Sequence, residues 1–132
     1  MESKQDTAAS LFVPESHLRL AEREDGTLAV YLSKHLAGLL GQPQWVEFTT
    51  APGDEVFPSI PFATVETGKT VYEVQLPFAA VLVSPNRDVL ATPSLLVCAE
   101  VEGSWLCLVR PAADDWREGL LDADGYAAYT AP

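Results

Sequence analysis

The side-chain amines of this 132-residue chain are three lysines, Lys4, Lys34 and Lys69, and their surroundings allow different things. Lys4 lies in the polar opening segment and Lys34 at a predicted helix start. Lys69 alone stands between two β-rich runs, residues 62–66 and 71–76, in Thr67-Gly68-Lys69-Thr70. That spacing predicts a hairpin with Lys69 at its tip, where Gly68 offers a backbone able to turn sharply and the threonines add neither bulk nor charge. A lysine held there is reachable by another enzyme. Acylation would remove its charge and make it the anchor of a mobile arm, with the attached group supplying the chemistry. On the local pattern alone the plainer reading, a solvated lysine on a turn, is the stronger one.

No other set of residues competes as a reactive centre. The chain contains no GxSxG, HExxH or P-loop pattern, so it predicts no catalytic site of its own. His17 and His35 lack the Cys, Asp or Glu spacing of a metal site and read as structural histidines. Cys98 and Cys107 are too few and too far apart for a disulfide framework or a CxxC motif. Cys107, inside Trp105-Leu106-Cys107-Leu108-Val109, reads as a small core hydrophobe of a buried strand.

The composition fits a folded chain with one core: 48% of residues are hydrophobic and 20% charged. The net charge of -11 leaves little to build the cationic face that nucleic acid requires, and would repel anionic lipid. No apolar run is long enough to span a membrane; residues 76–83 and 95–99 have the length of buried strands. No basic segment leads into a long apolar run near Met1, so a cytoplasmic location is expected. The acidity suits a protein that meets larger partners through complementary charge, and equally one that simply stays dissolved.

These features set the elements expected to hold Lys69. Residues 1–10 read as a flexible leader and 11–132 as one domain. Strands are predicted over residues 18–22 and 27–32, turning at Glu24-Asp25-Gly26. Ser33 should cap a short helix with Leu36, Leu39 and Leu40 on one face and Gly41 at its end. Further strands are predicted over residues 44–49, 62–66, 71–76, 81–84 and 105–110, with irregular connections at residues 85–88 and 91–93. Pro111 should lead into a C-terminal helix with Asp114 and Asp115 in its first turn and Trp116 and Leu120 on its buried face. Short strands with frequent turns and no βαβ alternation predict a compact mainly β sandwich or barrel.

Glu66-Thr67-Gly68-Lys69-Thr70 resembles the Glu-Thr-Asp-Lys-Ala and Glu-Ser-Val-Lys-Ala segments around lipoylated lysines. The likeness extends in register to the glycine cleavage H-protein family over about residues 11–126. Ser16-His17 resembles the start of that family's Ser-His-Glu-Trp segment. Asp25-Gly26-Thr27, Ser33-Lys34-His35 and Leu39-Leu40-Gly41 follow in the family's order. Trp45-Val46-Glu47-Phe48 stands where the family has Phe-Val-Glu-Leu, and Pro52-Gly53-Asp54-Glu55-Val56 at a Gly-containing turn. Pro77, Asn86, Pro93, Leu95, Gly103, Trp105 and Leu120-Leu121-Asp122-Ala123 through Tyr126 continue the match.

This resemblance implies a barrel-sandwich hybrid, lipoyl-domain-like, of two antiparallel sheets with a short internal helix and a C-terminal helix. It implies a non-catalytic carrier with lipoate bound covalently to Lys69, and a recognition role for Glu66 toward the lipoate ligase or lipoyl transferase. The implied partners are glycine decarboxylase, aminomethyltransferase and dihydrolipoyl dehydrogenase, between which the arm carries an aminomethyl group. In the family the loaded arm folds into a polar cleft. Ser16 keeps one cleft position, and Glu73, four residues after the lysine, replaces the usual Asp.

The chain also departs from the family. Leu18 and Arg19 stand where the family has Glu and Trp, and Leu39 where His can occur. Leu can neither accept a hydrogen bond nor balance a charge there. Tyr31 replaces a Gly. Phe78-Ala79-Ala80 replaces Val-Ser-Gly, which predicts an altered turn because Ala resists positive φ. Two alternatives follow: an H-like lipoate-binding protein serving another pathway, such as bacterial sulfur oxidation, or an interaction module without the cofactor. Biotin carriers have a related fold, but their lysine sits between methionines, and Met1 is the methionine here.

Overall fold

A computed structural model describes residues 10–97 and 103–132. Most of the leader and Cys98, with the end of the 95–99 run, lie outside the described residues. Two antiparallel sheets form the protein. The larger holds β1 (Leu11–Val13), β2 (Leu18–Glu22), β3 (Leu28–Leu32), β5 (Glu55–Val56), β8 (Ala80–Pro85) and β9 (Cys107–Pro111), in the order β1-β2-β3-β9-β8-β5. The smaller is a meander of β4 (Pro43–Phe48), β6 (Ala63–Thr67) and β7 (Val71–Val74), in the order β4-β6-β7. Period-2 alternation turns Leu18, Leu20, Leu28, Val30, Leu32, Leu82 and Val109 of the large sheet inward. They meet Val46, Val65 and Val74 of the small sheet in one buried cluster. The two-sheet, mainly β architecture is the one expected.

Local chemistry explains the helices. The Ser33 hydroxyl accepts from the Leu36 backbone N–H at 3.0 Å and starts α1 (Lys34–Leu40), while Gly41, at φ 84°, ends it. Leu36 and Leu40 are buried, but Leu39 is 56% exposed, so the apolar face is narrower than predicted. Residues 85–88 and 91–93 are more regular than expected. The Asn86 side chain accepts from Asp88 N–H and donates to the carbonyls of Gly103 and Trp105, starting α2 (Arg87–Ala91). A 3-10 turn over Pro93–Val97 follows, which replaces the strand reading of the described part of residues 95–99.

The predicted C-terminal helix divides in two. Asp114–Arg117 forms a 3-10 turn, and Gly119, at φ 80°, breaks the chain's course. The Asp122 carboxylate then accepts from Gly125 N–H at 2.8 Å and begins α3 (Ala123–Thr130). Trp116 is buried as expected, but through its 3-10 turn. Two elements had no forecast: β1, which pairs with β2 and bridges Phe12 to Leu121, and the two-residue β5. Ala80 takes no positive φ and lies in β8 opposite Val56 and Pro111. Among the described residues, no helix is long and apolar enough to cross a membrane.

Candidate functional site

Lys69 stands at the tip of the β6–β7 hairpin, exposed to solvent. Strand pairs Ala63–Val74, Thr64–Glu73, Val65–Tyr72 and Glu66–Val71 hold the hairpin in register up to the turn. Thr67 builds the turn itself. Its backbone N–H donates to the Thr70 carbonyl at 2.9 Å, and its hydroxyl oxygen accepts from the N–H groups of Lys69 and Thr70, each at 3.3 Å. Gly68 does not take a positive φ, so the side-chain bonds of Thr67, more than glycine's freedom, shape the tip.

Gly41 and the bulge of β4 complete the surroundings. A Cβ on Gly41 would sit 3.6 Å from Lys69 Cε, so the lysine stem passes over the end of α1. The register of β4 shifts between Pro43 and Trp45, a β-bulge of the sort that redirects side chains beside functional positions. It leaves Gln44 near Gly68, with Nε2 at 3.6 Å from a Cβ built there, and Trp45 directly opposite Glu66. No ion pair holds Lys69 among the described residues.

Ser16 occupies a different setting. It is 7% exposed, and its hydroxyl lacks a hydrogen-bond partner. With Val13, Glu15, Ser59, Gln75, Leu76 and Pro77 it lines a cavity of about 270 Å³. Tyr72, three residues after Lys69, donates its hydroxyl to the Ser16 carbonyl, and burial pushes the Tyr72 phenol up to about 12. Glu73 is not part of this lining; it is exposed on the outer face of β7. Leu18, where a carboxylate was expected, is fully buried in the core. Glu15, which is exposed, is among the residues lining the cavity. Sequence reading missed Glu15, Ser59 and Gln75. The nearest signal was the Pro58 and Pro61 punctuation around Ser59, which takes a φ of 61°.

The two histidines lie side by side next to Tyr126. His17 and His35 have ring centroids 5.0 Å apart, and His17 Nδ1 lies 2.7 Å from the Tyr126 hydroxyl. Burial, then the neighbouring His35, lowers the His17 pKa. No group of three or more His, Cys, Asp or Glu that could hold a metal ion exists among the described residues. Cys107 is fully buried, and that burial pushes its thiol up.

Comparison with known proteins decides the family. The glycine cleavage H-protein family model matches residues 12–132. The chain belongs to the glycine cleavage H-protein family. Glycine cleavage system H proteins of Aliivibrio salmonicida, Streptomyces avermitilis and Paraburkholderia xenovorans are 32%, 33% and 32% identical to it. The alignments cover 84%, 88% and 90% of this chain and 87%, 90% and 93% of the relatives. The crystal structure of a glycine cleavage system H protein from Mycobacterium marinum shares its fold, with a TM-score of 0.78 at 22% identity over 90% of this chain and 94% of that one. Family membership carries a lipoyl-carrier function in glycine cleavage. It does not favour the sulfur-oxidation alternative.

Proposed function

We propose that Lys69 carries the lipoyl group, and that the protein acts as a non-catalytic component passing the arm's cargo between other enzymes. The observation that carries this reading is the placement of Lys69: exposed, at the tip of a strand hairpin whose turn is tied by Thr67. The residues present fit such an arm. The lysine stem passes close to Gly41, and Ser16, Glu15 and Gln75 are among the residues lining a cavity of about 270 Å³. Tyr72 ties that cavity to β7 three residues from the anchor, about 10 Å at the usual rise of a strand.

When attached, the lipoyl group supplies a disulfide that opens to carry a group on sulfur. The chain's own residues hold and shelter it. Lys69 fixes the arm's origin. Glu15, exposed on the lining of the cavity that Ser16 shares, offers a carboxylate to an amine-bearing end. Glu66 serves recognition by the lipoate ligase or lipoyl transferase. Glu73 belongs with Glu66 on the outer face of the small sheet rather than with Ser16.

The partners in this reading are glycine decarboxylase, aminomethyltransferase and dihydrolipoyl dehydrogenase, met by residues 11–132 as one carrier domain in the cytoplasm. The test is reconstitution. Lipoylated protein, mixed with the cognate decarboxylase and glycine, should support carbon dioxide release that depends on the carrier and is lost in Lys69→Ala. A lipoylated protein that supports no release with that decarboxylase would overturn the reading.

A further inference from the structure

Pro77 lines two cavities. One is shared with Ser16, Glu15 and Gln75; the other, of about 340 Å³, lies where the approach to β8 meets the exit from β9. The Ala112 N–H donates to the Ala79 carbonyl at 2.9 Å and holds those two segments together. The Phe78 and Trp116 rings meet there with centroids 5.9 Å apart. Phe78 stands where the family has Val, so this aromatic wall is a feature of this chain.

Wall and rim differ in character. Beside the two rings the wall is alanine, Ala79, Ala112 and Ala113, whose small side chains leave the space open. The rim carries Asp115 and Glu118, both exposed, on a turn closed by the bond from Glu118 N–H to the Asp115 carbonyl at 3.1 Å. Arg117, the basic residue between them, is held elsewhere. Its guanidinium lies over the Trp116 ring, 4.4 Å from the centroid, and pairs with Glu22 at 2.7 Å. Among the described residues neither rim carboxylate has an ion-pair partner, and no cationic side chain lines the cavity.

An apolar wall under an anionic rim matches a long basic side chain, whose methylene stem packs on apolar surface while its charged head stays at the edge. Aromatic rings near the head add to the attraction. A second copy of this chain, itself at -11, is repelled as a whole. A free small amine gains little, because exposed ion pairs are weak without further contacts. The surface of another protein supplies those contacts. Its identity follows from Pro77: an enzyme that brings its active site to an arm end in the Ser16 cavity covers Pro77 and meets both cavities. The enzyme that loads the arm meets it empty, so its hold on the carrier must come from the carrier's surface. One that unloads the arm can recognise the cargo as well.

Resting on the reading of Lys69 as the lipoyl anchor, we propose that the Phe78–Trp116 cavity, rimmed by Asp115 and Glu118, is the docking site for an arginine or lysine side chain of the enzyme that loads the arm.

The experiment titrates lipoylated full-length protein against the cognate glycine decarboxylase with glycine, reading carbon dioxide release for kcat and for the KM of the carrier. Asp115→Asn combined with Glu118→Gln should raise that KM about fivefold at low ionic strength, and the difference should shrink as salt rises. Ala113→Arg places a competing guanidinium in the cavity and should raise KM about tenfold at any salt concentration. All three positions are exposed, and circular dichroism should show each variant folded. Equal KM values for wild type and both variants would overturn the docking site while leaving the carrier reading intact. A raised KM for transfer to the aminomethyltransferase, with loading unchanged, would assign the cavity to the unloading enzyme and also overturn the proposal. Wild-type lipoylated protein that supports no release would remove the carrier reading, and the docking site with it.

Discussion

Tyr72 ties the anchor hairpin to the rest of the molecule through one bond: its hydroxyl donates to the Ser16 carbonyl, at the wall of the cavity. The phenol is half-buried among groups that offer it little water, which is why its proton is held so firmly. Tyr72→Phe removes the donor and leaves a carbonyl short of a partner. The expected cost is about 1 kcal/mol of stability, measured by urea unfolding. The ring stays in place, so lipoylation of Lys69 should be unaffected. At this scale the sequence was informative about Lys69 and Cys107, because an isolated lysine between strand-like runs and a thiol within an apolar run each imply their setting. It was silent about Glu15 and Gln75, whose shared cavity depends on β7 lying against the β1–β2 connection. No local spacing encodes that approach.

Among the elements, α1 and α3 are joined by a chain of polar hydrogens. Leu36 N–H donates to the Ser33 hydroxyl oxygen, which also shares a hydrogen bond of 3.0 Å with the Tyr126 hydroxyl. The Tyr126 hydroxyl in turn shares a hydrogen bond of 2.7 Å with His17 Nδ1. A neutral His17 with Nδ1 unprotonated can accept from the Tyr126 hydroxyl. Because burial and His35 lower the folded-state pKa of His17 below its ordinary 6.5, the unfolded chain takes up this proton first. Stability from this contact is therefore complete above about pH 6.5 and declines as pH falls through the lowered folded value. Thermal melting between pH 7.5 and 5 should show the decline, and His17→Gln should flatten it. An unchanged slope in that variant would place the pH dependence elsewhere.

The helix start at Ser33 and the end at Gly41 were legible because a capping hydroxyl and a left-handed glycine are local chemistry. So was the β2–β3 hairpin, where Gly26 takes a φ of 85°. The single C-terminal helix predicted after Pro111 failed at Gly119, whose positive φ separates Asp114–Arg117 from α3. A glycine between two apolar, helix-compatible runs reads from sequence either as a tolerated interior residue or as a break. The extended backbone of Glu118 and the φ of 80° at Gly119 make it a break.

Across the whole molecule, the two ends of the described chain clasp each other. Phe12 and Leu121 exchange backbone bonds of 2.7 and 2.9 Å, and the Phe12 and Tyr126 rings stack at 4.4 Å. These contacts join residues more than a hundred positions apart, so no window of sequence shows them. The same holds for the order β1-β2-β3-β9-β8-β5, which brings β9 between β3 and β8. Only the resemblance to a known family carried the sheet arrangement in advance. Tyr126→Ala should lower stability by about 3 kcal/mol, through lost ring packing and the bond to Ser33, with a clear fall in Tm. A change within a few tenths of a kcal/mol would mean that the clasp contributes little.

The molecule's acidity, with a net charge of -11, leaves the hairpin to present an amine within an acidic molecule. The central claim is that this amine is the anchor of a lipoyl arm. Intact mass spectrometry of the native protein, purified from lipoate-replete cells alongside Lys69→Ala, tests it most directly. The account predicts one lipoyl mass increment on the wild-type chain and none on the variant. Wild-type protein at its unmodified mass, or an increment that persists in Lys69→Ala, would contradict it.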